Sequence, residues 1–106
     1  MDCVVESYQA VKRFPAEEKY ALSDQIRRAA VSVPANIAEG RGRRHTKEFL
    51  RHLSIAYGSL AELETHFLIA QRLGYLDATL AQTILTKTAT IARMINGLER
   101  SLRKRL

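Results

Sequence analysis

Thr46-Lys47-Glu48-Phe49-Leu50-Arg51-His52-Leu53-Ser54-Ile55-Ala56-Tyr57-Gly58-Ser59-Leu60-Ala61-Glu62-Leu63-Glu64-Thr65-His66-Phe67-Leu68-Ile69-Ala70-Gln71-Arg72 is the stretch on which the fold turns. Within it Phe49, Leu53, Ala56, Leu60, Leu63, Phe67 and Ala70 recur at alternating steps of four and three residues. That is an unbroken a/d seam over about three heptads, the signature of a long helix packed against other helices. Leu50, Tyr57, Ala61 and Leu68 widen the seam, while Ile55, Glu62 and Ile69 share a different face, seven residues apart. Thr46 is the expected N-cap, and Gly74 is placed to take the left-handed position just past the C-terminus.

Outward from this helix the same period continues. Toward the C-terminus, Asp77 is a good N-cap, and Leu80, Ile84, Ile91, Ile95, Leu98 and Leu102 form the next stripe, with Thr88 as a weak spot and Gly97 implying a close helix crossing. Toward the N-terminus, Leu22, Ile26, Ala29, Ala30, Val33 and Ile37 form another stripe, and Pro34 inside it predicts a kink near residues 30–33. A first, short helix carries Val4, Tyr8 and Val11 inward and ends at Phe14-Pro15. The predicted elements are therefore helices at 2–13, 16–39, 46–73 and 77–103. Their short connections make sequential neighbours antiparallel, which predicts an all-α, up-down-up-down four-helix bundle as a single domain over 1–106. Because the first helix is about half as long as the others, one end of the bundle should expose an apolar groove. An upstream segment or another subunit would fill it.

Composition narrows the function. The chain has 106 residues, 46% apolar, with one cysteine and two prolines. It is too apolar for disorder, and Cys3 alone cannot build a disulfide framework or a zinc site. No run approaches a membrane span, and Met1-Asp2 opens no visible leader, so a soluble cytoplasmic protein is expected. The net charge of +6 is unevenly distributed. Residues 41–51 carry Arg41, Arg43, Arg44, Lys47 and Arg51 against Glu48, a net of +4, and residues 99–105 carry Arg100, Arg103, Lys104 and Arg105 against Glu99, a net of +3. Up-down topology brings both segments to one pole, so the expected object is a nearly neutral rod with a basic cap. Such a cap attracts RNA or DNA phosphates without reading sequence, since the one Phe, Tyr or Trp in either segment, Phe49, belongs to the seam and leaves none for stacking. A solvated loop and tail, or an acidic protein partner, are the competing readings of the same charges.

Catalytic and metal chemistry find little support. Glu48/His52 and Glu62/His66 are four apart, His45 stands in a loop, and no second Glu/His set faces them, so the histidines are expected at the surface and no metal is expected. Ser32 and Ser59 lie in helical sequence, Cys3 has no neighbouring base, and Gly40-Arg41-Gly42-Arg43 lacks the ending of a nucleotide-triphosphate loop. The expectation is a non-enzyme with no cofactor and no small-molecule substrate.

Gln25-Ile26-Arg27-Arg28-Ala29-Ala30-Val31-Ser32-Val33-Pro34-Ala35-Asn36-Ile37-Ala38-Glu39-Gly40, Lys47–Thr65 and Leu73-Gly74-Tyr75-Leu76 resemble, block by block, the bacterial four-helix bundle family of 23S rRNA-intervening-sequence proteins. That family is in turn similar to the accessory protein of diversity-generating retroelements, a basic homopentameric barrel that binds a reverse transcriptase and nucleic acid. The resemblance implies a bundle that assembles into pentameric rings, with nucleic acid or a nucleic acid enzyme as partner; it implies no settled activity. Members usually carry additional residues ahead of the first helix, and this sequence departs from them there. Ala29, Ala30, Ala35 and Ala38 with Ala56, Gly58, Ser59 and Ala61 permit close backbone approach. An oligomer interface is expected over Arg27, Arg28, Asn36, Glu39, Ile55, Ser59, Glu62, Glu64 and Ile69, with Glu62 or Glu64 paired to Arg27 or Arg28. A purely structural oligomer is the third reading.

Overall fold

Four periodic segments become four α-helices in the computed structural model, which describes residues 1–106: α1 Asp2–Val11, α2 Leu22–Gly42, α3 Thr46–Arg72 and α4 Ala78–Arg103. Each packs on its neighbours in the order α1, α2, α3, α4 and back to α1, with no diagonal contact, so the bundle is a closed ring of antiparallel rods. It measures 47 × 24 × 18 Å. The core is the α3 seam: Leu53, Ala56, Leu60, Leu63, Phe67 and Ala70 are all buried, and only Phe49 at its start is half-buried. Burying each Leu or Phe of this set stabilises the fold by about 1.5–3 kcal/mol. Ile26, Ala29, Ala30 and Val33 of α2 and Ala81, Ile84 and Ile95 of α4 close over it.

The α3–α4 turn is built as its sequence requires. Gly74 adopts φ +80°, its N–H donates to the Gln71 carbonyl, and the Tyr75 N–H donates to the Ala70 carbonyl. That pair of bonds is a Schellman motif, and it satisfies two of the carbonyls a helix end leaves free. Asp77 then caps α4 by accepting from the Leu80 N–H at 2.8 Å.

Several expectations need correction. Thr46 does not cap α3: it is the first helical residue, and His45 holds the N-cap position without a side-chain bond. The helix expected from residue 16 begins only at Leu22, after a 3₁₀ turn over Ala16–Glu18. Tertiary bonds hold that turn apart, because Tyr75 donates to Glu18 at 2.7 Å and Arg27 donates to the Lys19 carbonyl at 3.0 Å. At its far end α2 runs on to Gly42, past the expected residue 39, and passes through Pro34 as one element. The first helix ends at Val11 rather than 13 and turns Cys3, Ser7, Ala10 and Val11 inward, leaving Tyr8 exposed. Ser7 tolerates full burial because its hydroxyl donates to the Cys3 carbonyl at 2.7 Å. Thr88 is likewise part of the core, its hydroxyl donating to the Leu85 carbonyl at 2.9 Å. No helix crosses closely at Gly97 or Gly58; the close approach is at Gly40, where an added Cβ would lie 2.8 Å from the Cβ of His52.

The short α1 has the expected consequence. Beyond Met1, α2 and α4 face one another across an apolar groove of about 560 Å³ floored by α3. No helix is long and apolar enough to cross a membrane.

Candidate nucleic-acid interface

The α2–α3 connection is tight: Arg43, Arg44 and His45 separate two long helices, and Arg44 makes the reversal at φ +66°. A side chain at positive φ is strained by about 1 kcal/mol or more relative to glycine. The chain therefore keeps an arginine where turn geometry favours glycine or asparagine.

The register of α3 and α4 decides where the second basic segment lies. Ala92 lines a small crevice with Tyr57, Leu60 and Ala61. Ten residues further along each antiparallel rod, buried Leu102 comes level with Leu50, at the start of α3. The tail after Leu102 therefore lies at the end of the molecule that holds the Arg43–His45 turn. Arg41, Arg43, Arg44, Lys47, Arg51, Arg100, Arg103, Lys104 and Arg105 are all exposed there. Three are partly neutralised by their own helices: Arg43 pairs with Glu39 at 3.0 Å, Arg51 with Glu48 at 3.1 Å and Arg103 with Glu99 at 3.8 Å. The Arg51 bond holds the Glu48 carboxyl below its ordinary range. Arg41, Arg44, Lys47, Arg100, Lys104 and Arg105 have no intrachain ion pair, which leaves a cluster of free cations at the pole.

Beside the pole runs a polar ladder across the α2–α3 seam. Ser59 and Ser32 share a hydroxyl bond of 2.8 Å; Asn36 donates to the Ser32 carbonyl and hydroxyl at 2.9 and 3.0 Å; and Asn36 Oδ1 meets His52 Nδ1 at 3.0 Å. Glu39 stands 3.9 Å from the same His52 nitrogen, and Arg51 3.3 Å from the other. His52 is buried, which corrects the expectation of surface histidines; His66 is also mostly covered and contacts Glu62 at 3.3 Å. The signal for this ladder was present: Ser59 and His52 lie seven apart on α3, facing Ser32 and Asn36, four apart on α2.

The residues expected at an oligomer interface divide accordingly. Asn36, Glu39 and Ser59 join two helices of the same chain. Arg28 and Glu62 both lie within one turn of the Ser32–Ser59 bond, yet each takes a partner on its own helix, Asp24 at 2.9 Å and His66. The expected pairing of Glu62 or Glu64 with Arg27 or Arg28 does not form within the chain. Arg27 spends its guanidinium on the Lys19 carbonyl, and Glu64 lines the α3–α4 crevice. Ile55 and Ile69 are about 40% exposed on the outer face of α3. Nowhere do three or more His, Cys, Asp or Glu side chains gather as a metal-ligating group.

The family model described as 23S rRNA-intervening sequence protein matches residues 1–97. The chain belongs to the 23S rRNA-intervening sequence protein family. Among solved structures, it is similar to a protein of unknown function from the S23 ribosomal protein family of Bacteroides thetaiotaomicron. That structure is 22% identical, covers 91% of this chain and 87% of its own, and superposes with a TM-score of 0.80. No curated protein matches the chain. At that identity the structural likeness shows the fold that the two chains share.

Proposed function

We propose that this family member is a non-catalytic, homo-oligomeric module that holds nucleic acid phosphates at its basic pole without reading sequence. The carrying observation is the set of six exposed cations, Arg41, Arg44, Lys47, Arg100, Lys104 and Arg105, that have no carboxylate partner within the chain. Unpaired arginines and lysines displace counterions from a phosphate backbone, and Phe49, the one Phe, Tyr or Trp in the two basic segments, is half-buried against the core and not displayed for base stacking. A family description tied to 23S rRNA, and a neighbour assigned to an S23 ribosomal protein family, fit an RNA setting in the cytoplasm. The exposed Ile55 and Ile69 stripe supports assembly, and a pentamer is the ring size that the family resemblance favours.

The test is fluorescence anisotropy with labelled generic RNA and duplex DNA across a salt series. Binding is expected to weaken steeply, with log affinity falling by about 0.7–0.9 per phosphate contact for each decade of salt. The triple variant Arg41→Glu, Arg44→Glu, Lys104→Glu should abolish most of that slope. Binding that ignores salt, or no binding at low salt, overturns the proposal. Light scattering tests assembly: a particle of one 12.0 kDa chain at micromolar concentration removes the oligomeric part.

A further inference from the structure

The polar ladder beside the pole fixes one proton and leaves one lone pair contested. Asn36 Nδ2 donates to the Ser32 carbonyl, an atom that can only accept, so Asn36 Oδ1 is the acceptor offered to His52. His52 Nδ1 therefore carries a hydrogen and donates it over 3.0 Å. At the other ring nitrogen stands the Arg51 guanidinium, which can only donate, 3.3 Å away. Nε2 is then the bare nitrogen of a neutral imidazole. The ring is only 4% exposed, so these two neighbours, and not bulk water, set its tautomer.

The charges around this ring balance. Glu39 and Arg43 of α2 form one pair at 3.0 Å, and Glu48 and Arg51 of α3 form another at 3.1 Å. Glu39 also stands 3.9 Å from His52 Nδ1, so one carboxylate faces both Arg43 and the ring. α1 and α4 bring no carboxylate within ion-pair distance of His52. Two carboxylates and two guanidinium groups around a neutral imidazole sum to zero. A second proton on the ring can settle only at Nε2, where Arg51 already donates. Proton and guanidinium thus compete for one lone pair, because two donors cannot face each other there.

A phosphate on the pole tips that competition. Arg51 is exposed and belongs to the cationic cap. When it turns toward a phosphate, Nε2 is left buried without its donor, and the added negative charge favours the imidazolium form. Glu39 is already placed to face the new positive charge. We propose that His52 takes up a proton when a phosphate draws Arg51 away, which couples nucleic acid binding at this pole to protonation of a buried histidine. The coupling rests on the reading of the pole as a phosphate site. Linkage makes it reciprocal: binding tightens as pH falls through the imidazole range.

Isothermal titration calorimetry of the full chain with a generic RNA duplex tests it. Run at about pH 6.5, in two buffers of different ionisation enthalpy, it counts the protons taken up on binding. His45, exposed in the turn, titrates in the same range, so His45→Gln is the reference chain. His66 lies about 21 Å further along α3 and does not face the pole. Uptake approaching about one proton per chain is expected, and His52→Gln in the reference chain should remove most of it. Arg51→Met, at an exposed position, leaves the ladder intact and removes the competitor, so uptake should fall there too. In an NMR titration without RNA, the His52 ring of Arg51→Met should take its second proton at higher pH than in the parent. RNA bound with no proton taken up, or with uptake unchanged in both variants, overturns the coupling and leaves phosphate binding standing. A His52 titration unmoved by Arg51→Met overturns it without any RNA. A chain that binds no RNA at low salt loses the phosphate reading and the coupling together.

Discussion

Gly40 and Gly97 both sit inside helices, and their surroundings are opposite. At Gly40 an added methyl would lie 2.8 Å from the His52 Cβ and 3.0 Å from the Phe49 ring, on the packed α2–α3 seam. Gly40→Ala should therefore destabilise the chain by about 1–3 kcal/mol through overpacking. At Gly97 nothing opposes the methyl, so Gly97→Ala should stabilise by about 0.5–1 kcal/mol. Urea denaturation of the two variants checks both signs. Arg44 gives a third residue-scale prediction. Replacing it by glycine relieves a left-handed arginine and should stabilise the fold by about 1 kcal/mol, while nucleic acid binding weakens and its salt slope falls by about one. A gain in stability with no loss of binding would mean that the arginine serves neither purpose. Of these three residues, the sequence exposed none of the constraints. Gly40 looked like the end of a motif, Gly97 like a crossing point, and Arg44 like one charge among several, because contact across a seam and backbone sign are not local properties.

At the scale of elements, α1 is the least anchored rod, and its attachment to α4 is ionic. Lys87 donates to Glu6 across that junction, and this bond raises the Lys87 pKa. At the other end, the Tyr75 hydroxyl donates to Glu18, which raises the Tyr75 pKa and holds the 3₁₀ turn to the α3–α4 turn. Both groups hold their protons more tightly in the folded chain than in the unfolded one. The stability they contribute is therefore complete below about pH 10 and is lost as pH rises through each folded pKa. Stability measured through the alkaline range should fall, and Tyr75→Phe with Lys87→Met should flatten that limb; an unchanged slope would detach both bonds from the fold. Helix existence, order and the Gly74 and Asp77 ends were legible from period and capping chemistry. The false start of α2 at residue 16 was not, since a distant tyrosine and arginine hold Ala16–Glu18 in a separate turn. Nor was the rotation of α1, where Ser7 replaces an apolar residue because its hydroxyl finds a carbonyl one turn back.

For the molecule as a whole, alternation of the rods is what concentrates charge. Two segments separated by the 47 residues 52–98 become one cationic end, and the α3–α4 register around Leu60 and Ala92 carries that juxtaposition. Asn36→Ala tests how firmly this end is set. It leaves His52 Nδ1 buried without its partner and should cost about 1–3 kcal/mol, seen as a lower urea midpoint, with the pole loosened for nucleic acid. If stability holds, the Ser32–Asn36–His52 ladder is surface decoration and not a register lock.

By itself the sequence determined the helical class, the four rods, the core stripe of α3 and the uneven charge, because each is written in spacing and composition over a few turns. Tertiary structure alone decided which cations remain unpaired, that His52 is buried in a ladder, where backbones touch, and that no helix crosses closely at Gly97. Those outcomes depend on which atoms meet across a seam, and helical periodicity fixes the face a residue lies on but not the partner waiting there.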